Sequence, residues 1–303
     1  MRAAIESIVS ELEHLRNRGV DRVFVHEDTL VKLNQAVDAR AAAAGSVDVE
    51  VATVAPDQAI EASISEITPV VTKPKPKKEK PALDAHIPEP ESFELPEGDK
   101  KTQWNWLKEH VLGSQECQKH VKPGKKVVFG VGSLDAEVFF CGQAPSAEDE
   151  IGGEPFSGKA GQLLTRIIGA MGYKREDVYI GNIMNWRPEM PTAFEDRPPT
   201  QREMNYCLPF LKAQLSIIKP KVLVALGAVA VSGLLGPDSK RRMRDVRGQW
   251  TSFDLVPLMV TFHPSYLLRN NTNKAKRMVW EDMLKVMERI ERPISEKQRG
   301  YFL

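Results

Sequence analysis

Val138-Phe139-Phe140 is apolar and aromatic-rich, and Gly142 closes it, so it reads as a short buried strand. The chain then breaks into a Gly- and Pro-rich loop from Gly142 to Gly161, before a helix carrying Leu163, Leu164, Ile167 and Ile168. A strand delivering such a loop to a helix constrains the fold strongly. Loops at the carboxyl ends of strands in an open α/β sheet are where such folds bind ligands. This one carries Gln143, the acids Glu148, Asp149 and Glu150, and a Pro155-Phe156 step.

The alternation continues from 101 to 292. A helix with Trp104, Leu107 and Val111 leads to strands near Val127-Val128-Phe129 and Val138–Phe140. A strand near Val178-Tyr179-Ile180 runs into a Pro-rich loop at 187–199. Thr200, with Glu203 three residues on, forms a capping box for a helix to Ile218. Strand 221–225, helix 228–235, a basic loop, strand 257–262, a His263 loop and a helix to about Arg292 complete the series. This pattern predicts a three-layer α/β/α domain on a central, mostly parallel, four-stranded sheet.

The rest of the chain differs. Residues 1–42 read as a small N-terminal helical segment, with Ile5, Ile8, Val9, Leu12 and Leu15 at helical spacing. Residues 43–99 are rich in Pro, Lys and Glu and read as a disordered linker. That leaves 100–292 for the α/β domain and 293–303 for a tail. Residues 1–100 hold 12 Lys and Arg against 19 Asp and Glu, and the remainder 30 against 22. An acidic arm on a basic body suggests that the body meets a polyanion. No apolar run approaches the length of a membrane span, and no secretory leader is evident, so a cytoplasmic location is expected; the expected assembly is a monomer. Three widely spaced cysteines suit a reducing compartment.

Three stretches in order carry a family resemblance. Gly142-Gln143-Ala144-Pro145-Ser146 with Gly153–Leu164 resembles the first motif of the uracil-DNA glycosylase superfamily. Tyr179-Ile180-Gly181-Asn182 resembles its uracil-reading segment, and His263-Pro264-Ser265-Tyr266-Leu267-Leu268-Arg269 is similar to its His-Pro-Ser loop. The likeness is to the family 4 type and runs from about 104 to 290. It implies hydrolysis of the N-glycosidic bond of deoxyuridine in DNA, with the base flipped out of the stack and an abasic site left behind.

The residue chemistry agrees. Asn182 offers a carbonyl and an NH₂, so one side chain can bond both N3–H and O4 of uracil, where cytosine presents the opposite pattern. Phe156 supplies a stacking face, and Gly142 and Ala144 complete the base pocket. His263 is the expected electrophile, donating to uracil O2 as negative charge grows; donors of this kind are worth about 10²–10³ in rate. The resemblance gives Pro264 and Ser265 the role of pinching the DNA backbone, and Leu267 that of a wedge filling the gap left by the flipped base. Arg269 and, in the basic loop, Arg241, Arg242 and Arg244 are candidate phosphate contacts.

Two departures stand out. Gln143 occupies the position where the family usually has Glu; it can orient a water but cannot take its proton, and losing a general base costs about 10²–10⁴. Glu148, Asp149 or Glu150 are candidate substitutes. Family 4 proteins also typically hold a [4Fe–4S] cluster on four cysteines. Here the matching positions are Cys117, His120, Trp186 and Cys207. Two thiolates and an imidazole do not normally hold such a cluster, so none is expected and no other cofactor is implied. The tail, Gln298-Arg299-Gly300-Tyr301-Phe302-Leu303, vaguely resembles peptides that dock repair proteins on the sliding clamp; folding back on the domain is the alternative. The expected partner is uracil-containing DNA, with no membrane. The Gln143 departure keeps open a module that binds a damaged base without cleaving it. Cleavage of another deaminated base, hypoxanthine or xanthine, is a third option.

Overall fold

The computed structural model describes residues 86–189 and 197–303. The expected segment 1–42, most of the expected linker and the middle of the 187–199 loop lie outside the described residues.

The strands are β1 (Val131–Gly132), β2 (Val138–Gly142), β3 (Tyr179–Asn182), β4 (Val222–Leu226), β5 (Trp250–Phe253) and β6 (Val256–Thr261), in one sheet ordered β1-β3-β2-β4-β6-β5. The inner four, β3-β2-β4-β6, are parallel, as expected. Two antiparallel edges, β1 on β3 and β5 on β6, make the sheet six-stranded rather than four-stranded. Both edges are hard to read from sequence. β1 has two residues, and the β5–β6 hairpin turns at Asp254 and Leu255 with φ of 50° and 68°, without the Asn-Gly pair that usually marks a left-handed turn. The expected strand at Val127–Phe129 is not a ladder strand. Its residues are buried, but Val128 bridges a single partner, Asn185, through Val128 N–H to Asn185 O at 2.7 Å and Asn185 Nδ2 to Val128 O at 2.9 Å.

The helices are α1 (Lys100–Gly113), α2 (Gln115–Lys119), α3 (Ala147–Gly152), α4 (Lys159–Ala170), α5 (Gln201–Ile218), α6 (Ala228–Leu235), α7 (Met243–Val246), α8 (Pro264–Arg269), α9 (Asn273–Arg289) and α10 (Glu296–Arg299). Side chains alternate across each strand, which builds two cores. Phe139, Cys141, Leu223 and Ala225 face α1, α5 and α6, while Val138, Phe140, Val222 and Val224 face α4 and α9. Burying each such Phe is worth about 1.5–3 kcal/mol. The Thr200–Glu203 capping box is present, with Thr200 Oγ1 accepting from Glu203 N–H and the Glu203 carboxylate from Thr200 N–H.

The packed domain begins before residue 100. Ile87 is buried, and Phe93 stacks against Phe210 at 5.5 Å, so apolar anchors in the Pro-rich stretch tie residues 86–99 down. The tail also folds back. The Tyr301 ring lies 5.2 Å from that of Trp280, whose Nε1 donates to Gln298 O, and Gln298 Nε2 donates to Ala170 O.

Candidate active site

Parallel strands align their carboxyl ends, and the candidate site residues gather along that edge. β2 and β3 end in register, with Gly142 opposite Asn182. From β2 the chain crosses to β3 on one side and later to β4 on the other, so this edge is a topological switch point. Asn182 is buried, and its Nδ2 has no hydrogen-bond partner among the described residues. A buried donor left unpaired costs about 1–3 kcal/mol, so it points to a ligand acceptor. Gly142 is glycine because a Cβ there would lie 2.3 Å from Asn182 Oδ1 and 2.7 Å from the Phe156 ring.

The loop after β2 is more structured than its Gly and Pro content suggests. Ser146 and Asp149 form a capping box for α3, and Asp149 also accepts from Ser157 N–H at 2.6 Å. One buried carboxylate thus pins both ends of the turn. That use explains Asp149 without water activation. Glu150 lies 3.6 Å from both Lys125 and Arg187, and Glu148 is exposed beside Gly158. None of the three acids makes a hydrogen bond to Gln143, Phe156, Asn182 or His263. Past α3, Phe156 takes a left-handed φ of 57° and buries its ring against Gly142.

His263 caps the N-terminus of α8. Its Nδ1 accepts from Ser265 N–H at 3.2 Å and lies 2.8 Å from Ser265 Oγ. An Nδ1 that accepts from a backbone N–H carries no proton, so the neutral ring bears its proton on Nε2. Burial, helped by Arg269, lowers the His263 pKa to about 4, which keeps the ring neutral at pH 7. The ring sits 5.6 Å from that of Phe156, at 29°. Behind it, Thr261 Oγ1 donates to the fully buried Asp282 at 2.7 Å, and Arg247 closes the pair from the basic loop. Burial raises the Asp282 pKa against the pull of Arg247 and Thr261. This anchor follows no local pattern, because Arg247 and Asp282 meet only through tertiary packing.

The structure thus brings Gly142, Phe156, Asn182 and His263 together. Gln143 stands next to them, half-buried; its backbone O accepts from Met184 N–H, and its side chain is without a hydrogen bond among the described residues. Ala144 packs toward the α1/α5 core. Ser265 directs its hydroxyl at His263, and Pro264 is buried in the first turn of α8. The expected wedge, Leu267, is instead 5% exposed and packs with Ala275 and Val279, while Leu268 stands 44% exposed. The helical turn of α8 explains the difference, since it rotates Leu267 onto α9. Arg242, Arg244 and Arg269 are exposed, whereas Arg241 is held by Gly236 O and Asp238.

The four cluster positions also converge, but their chemistry does not suit a cluster. Trp186 is fully buried and stacks on His120 at 4.7 Å and 16°, with Tyr206 at 5.9 Å. Cys117 and Cys207 lie together, and burial raises the Cys207 pKa well above the ordinary thiol value, so it is not a ready thiolate. His120 Nε2 is 3.1 Å from Glu116 Oε1. Among the described residues no group of three or more His, Cys, Asp or Glu is placed to bind a metal ion. These residues do not fit an iron–sulfur cluster.

Two aromatic rings and a buried amide gathered at the switch point of an open α/β sheet have the chemistry to meet a planar polar group. The comparisons are more specific. The model of the uracil DNA glycosylase superfamily matches residues 129–284. The type-4 uracil-DNA glycosylase of Thermotoga maritima is 40% identical over 190 residues, covering 61% of this chain and 94% of the relative. That of Pyrobaculum aerophilum is 34% identical over 169 residues, 54% and 83%; that of Saccharolobus solfataricus is 33% identical over 200 residues, 62% and 88%. The chain belongs to the uracil DNA glycosylase superfamily.

Proposed function

We propose that this chain is a monofunctional uracil-DNA glycosylase. The observation that carries the proposal is the unpaired, buried Asn182 Nδ2 beside Gly142 and Phe156, three residues from the strand ends and loop that the family likeness singles out. A flipped uracil stacks on Phe156, accepts at O4 from Asn182 Nδ2 and donates N3–H to Asn182 Oδ1. The neutral His263 donates from Nε2–H to O2. As the C1′–N1 bond breaks, its electron pair goes to uracil, and His263 stabilises the charge that gathers on O2. Gln143 orients the water that adds to C1′. No carboxylate takes that water's proton, which goes to solvent after attack on a sugar already cationic in character. Arg242, Arg244 and Arg269 contact phosphates, and Leu268 replaces Leu267 as the apolar side chain offered to the duplex.

We further propose that it works without an iron–sulfur cluster, as a cytoplasmic monomer. No helix among the described residues is long and apolar enough to cross a membrane. Clamp docking would require Gln298 and Tyr301 to leave their contacts with Ala170 and Trp280, so the tail is assigned to the domain itself. Iron and acid-labile sulfide should be near background in protein purified without oxygen, and stoichiometric amounts of both would overturn the cluster-free reading.

The test of activity is single-turnover cleavage of oligonucleotides bearing uracil, cytosine, thymine or hypoxanthine, single-stranded and paired. Uracil alone should be released. Asn182→Ala should slow that release by about 10²-fold, the loss of two buried hydrogen bonds at roughly 1–1.5 kcal/mol each. Tight binding of uracil-DNA without cleavage would instead make this a base-capturing module, and preferred release of hypoxanthine would reassign the substrate.

A further inference from the structure

Phe156 holds a conformation that a bulky L-residue rarely adopts, at φ 57°, and does so beside Gly142 and His263 in the candidate site. Such a backbone persists only where its surroundings over-determine it. Three contacts do so here. Ser157 N–H is fixed on Asp149. α4 approaches so closely that a Cβ at Gly161 would lie 1.6 Å from the Phe156 carbonyl oxygen. The third contact comes from outside every motif of the chain. Arg175, in the 3₁₀ turn Arg175–Asp177 before β3, donates from Nη2 to Pro155 O at 2.8 Å and to Phe156 O at 3.3 Å, and from Nη1 to Thr165 Oγ1 at 3.1 Å.

From this geometry we infer that Arg175 is a positioning residue for base stacking: its guanidinium fixes the two carbonyls flanking Phe156 and so holds the ring at the angle the pocket requires. Resting on the glycosylase reading, the inference assigns that site a support which touches neither base nor sugar. A planar, multi-donor guanidinium suits the task because it spans two carbonyls on the loop and a hydroxyl on α4 at once. The neighbouring acids Glu154 and Asp149 balance its charge.

A double-mutant cycle separates this role from general stability. Arg175→Ala should lower the single-turnover rate by about 10–10²-fold, the scale of a small misplacement in an active site. In a Phe156→Ala background the same change should cost less than about twofold, because the ring it acts through is gone. Full additivity of the two losses would overturn the inference. Arg175→Lys, which reaches one carbonyl rather than two, should lose less in the same direction, and it carries the cycle should Arg175→Ala not fold. Hydrogen exchange supplies a readout independent of activity. The Ser157 amide should exchange at least about 10-fold faster in either Arg175 variant, with the β2 and β4 amides unchanged. Were the wild type to cleave nothing, the glycosylase reading would fail and Ser157 exchange alone would decide whether Arg175 holds the loop; unchanged exchange would sink it.

Discussion

Gly142→Ala should abolish uracil release while leaving the fold intact, with a single-turnover rate down by at least about 10³-fold. The added methyl would sit 2.3 Å from Asn182 Oδ1 and 2.7–2.8 Å from two carbons of the Phe156 ring. Both neighbours are fixed, Asn182 by the β3 ladder and Phe156 by its left-handed backbone, so neither can withdraw cheaply. The methyl therefore occupies the volume meant for the base. A displacement of about 1 Å in a reacting geometry already costs about 10² in rate, and here the ligand itself is excluded. Gly142 takes no left-handed φ, so no backbone strain is added and the cost to stability comes from the overlap alone. Overpacking of this kind costs about 1–3 kcal/mol. The check pairs melting with titration of uracil-DNA: a folded variant destabilised by no more than that, which neither flips nor cleaves, fits, whereas one that retains a tenth of the rate shows that the base lies elsewhere.

What the sequence made legible is which residues meet: the order of the three motifs singles out Gly142, Phe156, Asn182 and His263, and the structure brings the four together. A lone Asn at a strand end is more often a turn residue, so Asn182 stood out only through the motif around it, and Gly142 because a strand that ends in glycine allows close approach. The four inner strands were legible too. β2 and β4, buried on both faces, are short continuous apolar runs bounded by turn residues. What the sequence hid was set by geometry at a distance. Leu267 and Leu268 are chemically alike, and only the turn of α8 decides which one α9 covers. Asp149 looked like one of three equivalent acids, yet its spacing of three from Ser146 makes a capping box, a signal that was available. Arg247 looked like one more cation in a basic loop, and its commitment to Asp282 depends on a helix 35 residues further on. Arg175 carried no signal at all, since a lone arginine before a strand has many uses.

His263→Ala should reduce uracil release by about 10²–10³-fold, the usual loss when a preorganised donor to a developing oxyanion is removed. His263→Gln, which keeps a neutral N–H donor, should recover part of that loss; His263→Lys should not, because a compact cation would be buried where only a neutral ring is tolerated. The pH dependence tests the same assignment from another side. The folded-state pKa of His263 is about 4, against an ordinary 6.5, because burial disfavours the charged ring. The folded protein therefore binds fewer protons than the unfolded chain between those values. Stability from this group is complete above pH 6.5, falls as the pH drops toward 4 and is flat below it, by about 3 kcal/mol in all. The rate of release should show no inflection near 6.5, since the donor stays neutral on both sides of that pH. Below about pH 4 the folded ring takes a proton on Nδ1, which would face the Ser265 N–H, so the rate should fall there. Melting from pH 4 to 8 should then show a shallower acid limb in His263→Ala than in wild type. An inflection of the wild-type rate at 6.5 that vanishes in His263→Ala would mean that His263 acts as a cation, and the neutral-donor mechanism would have to be abandoned.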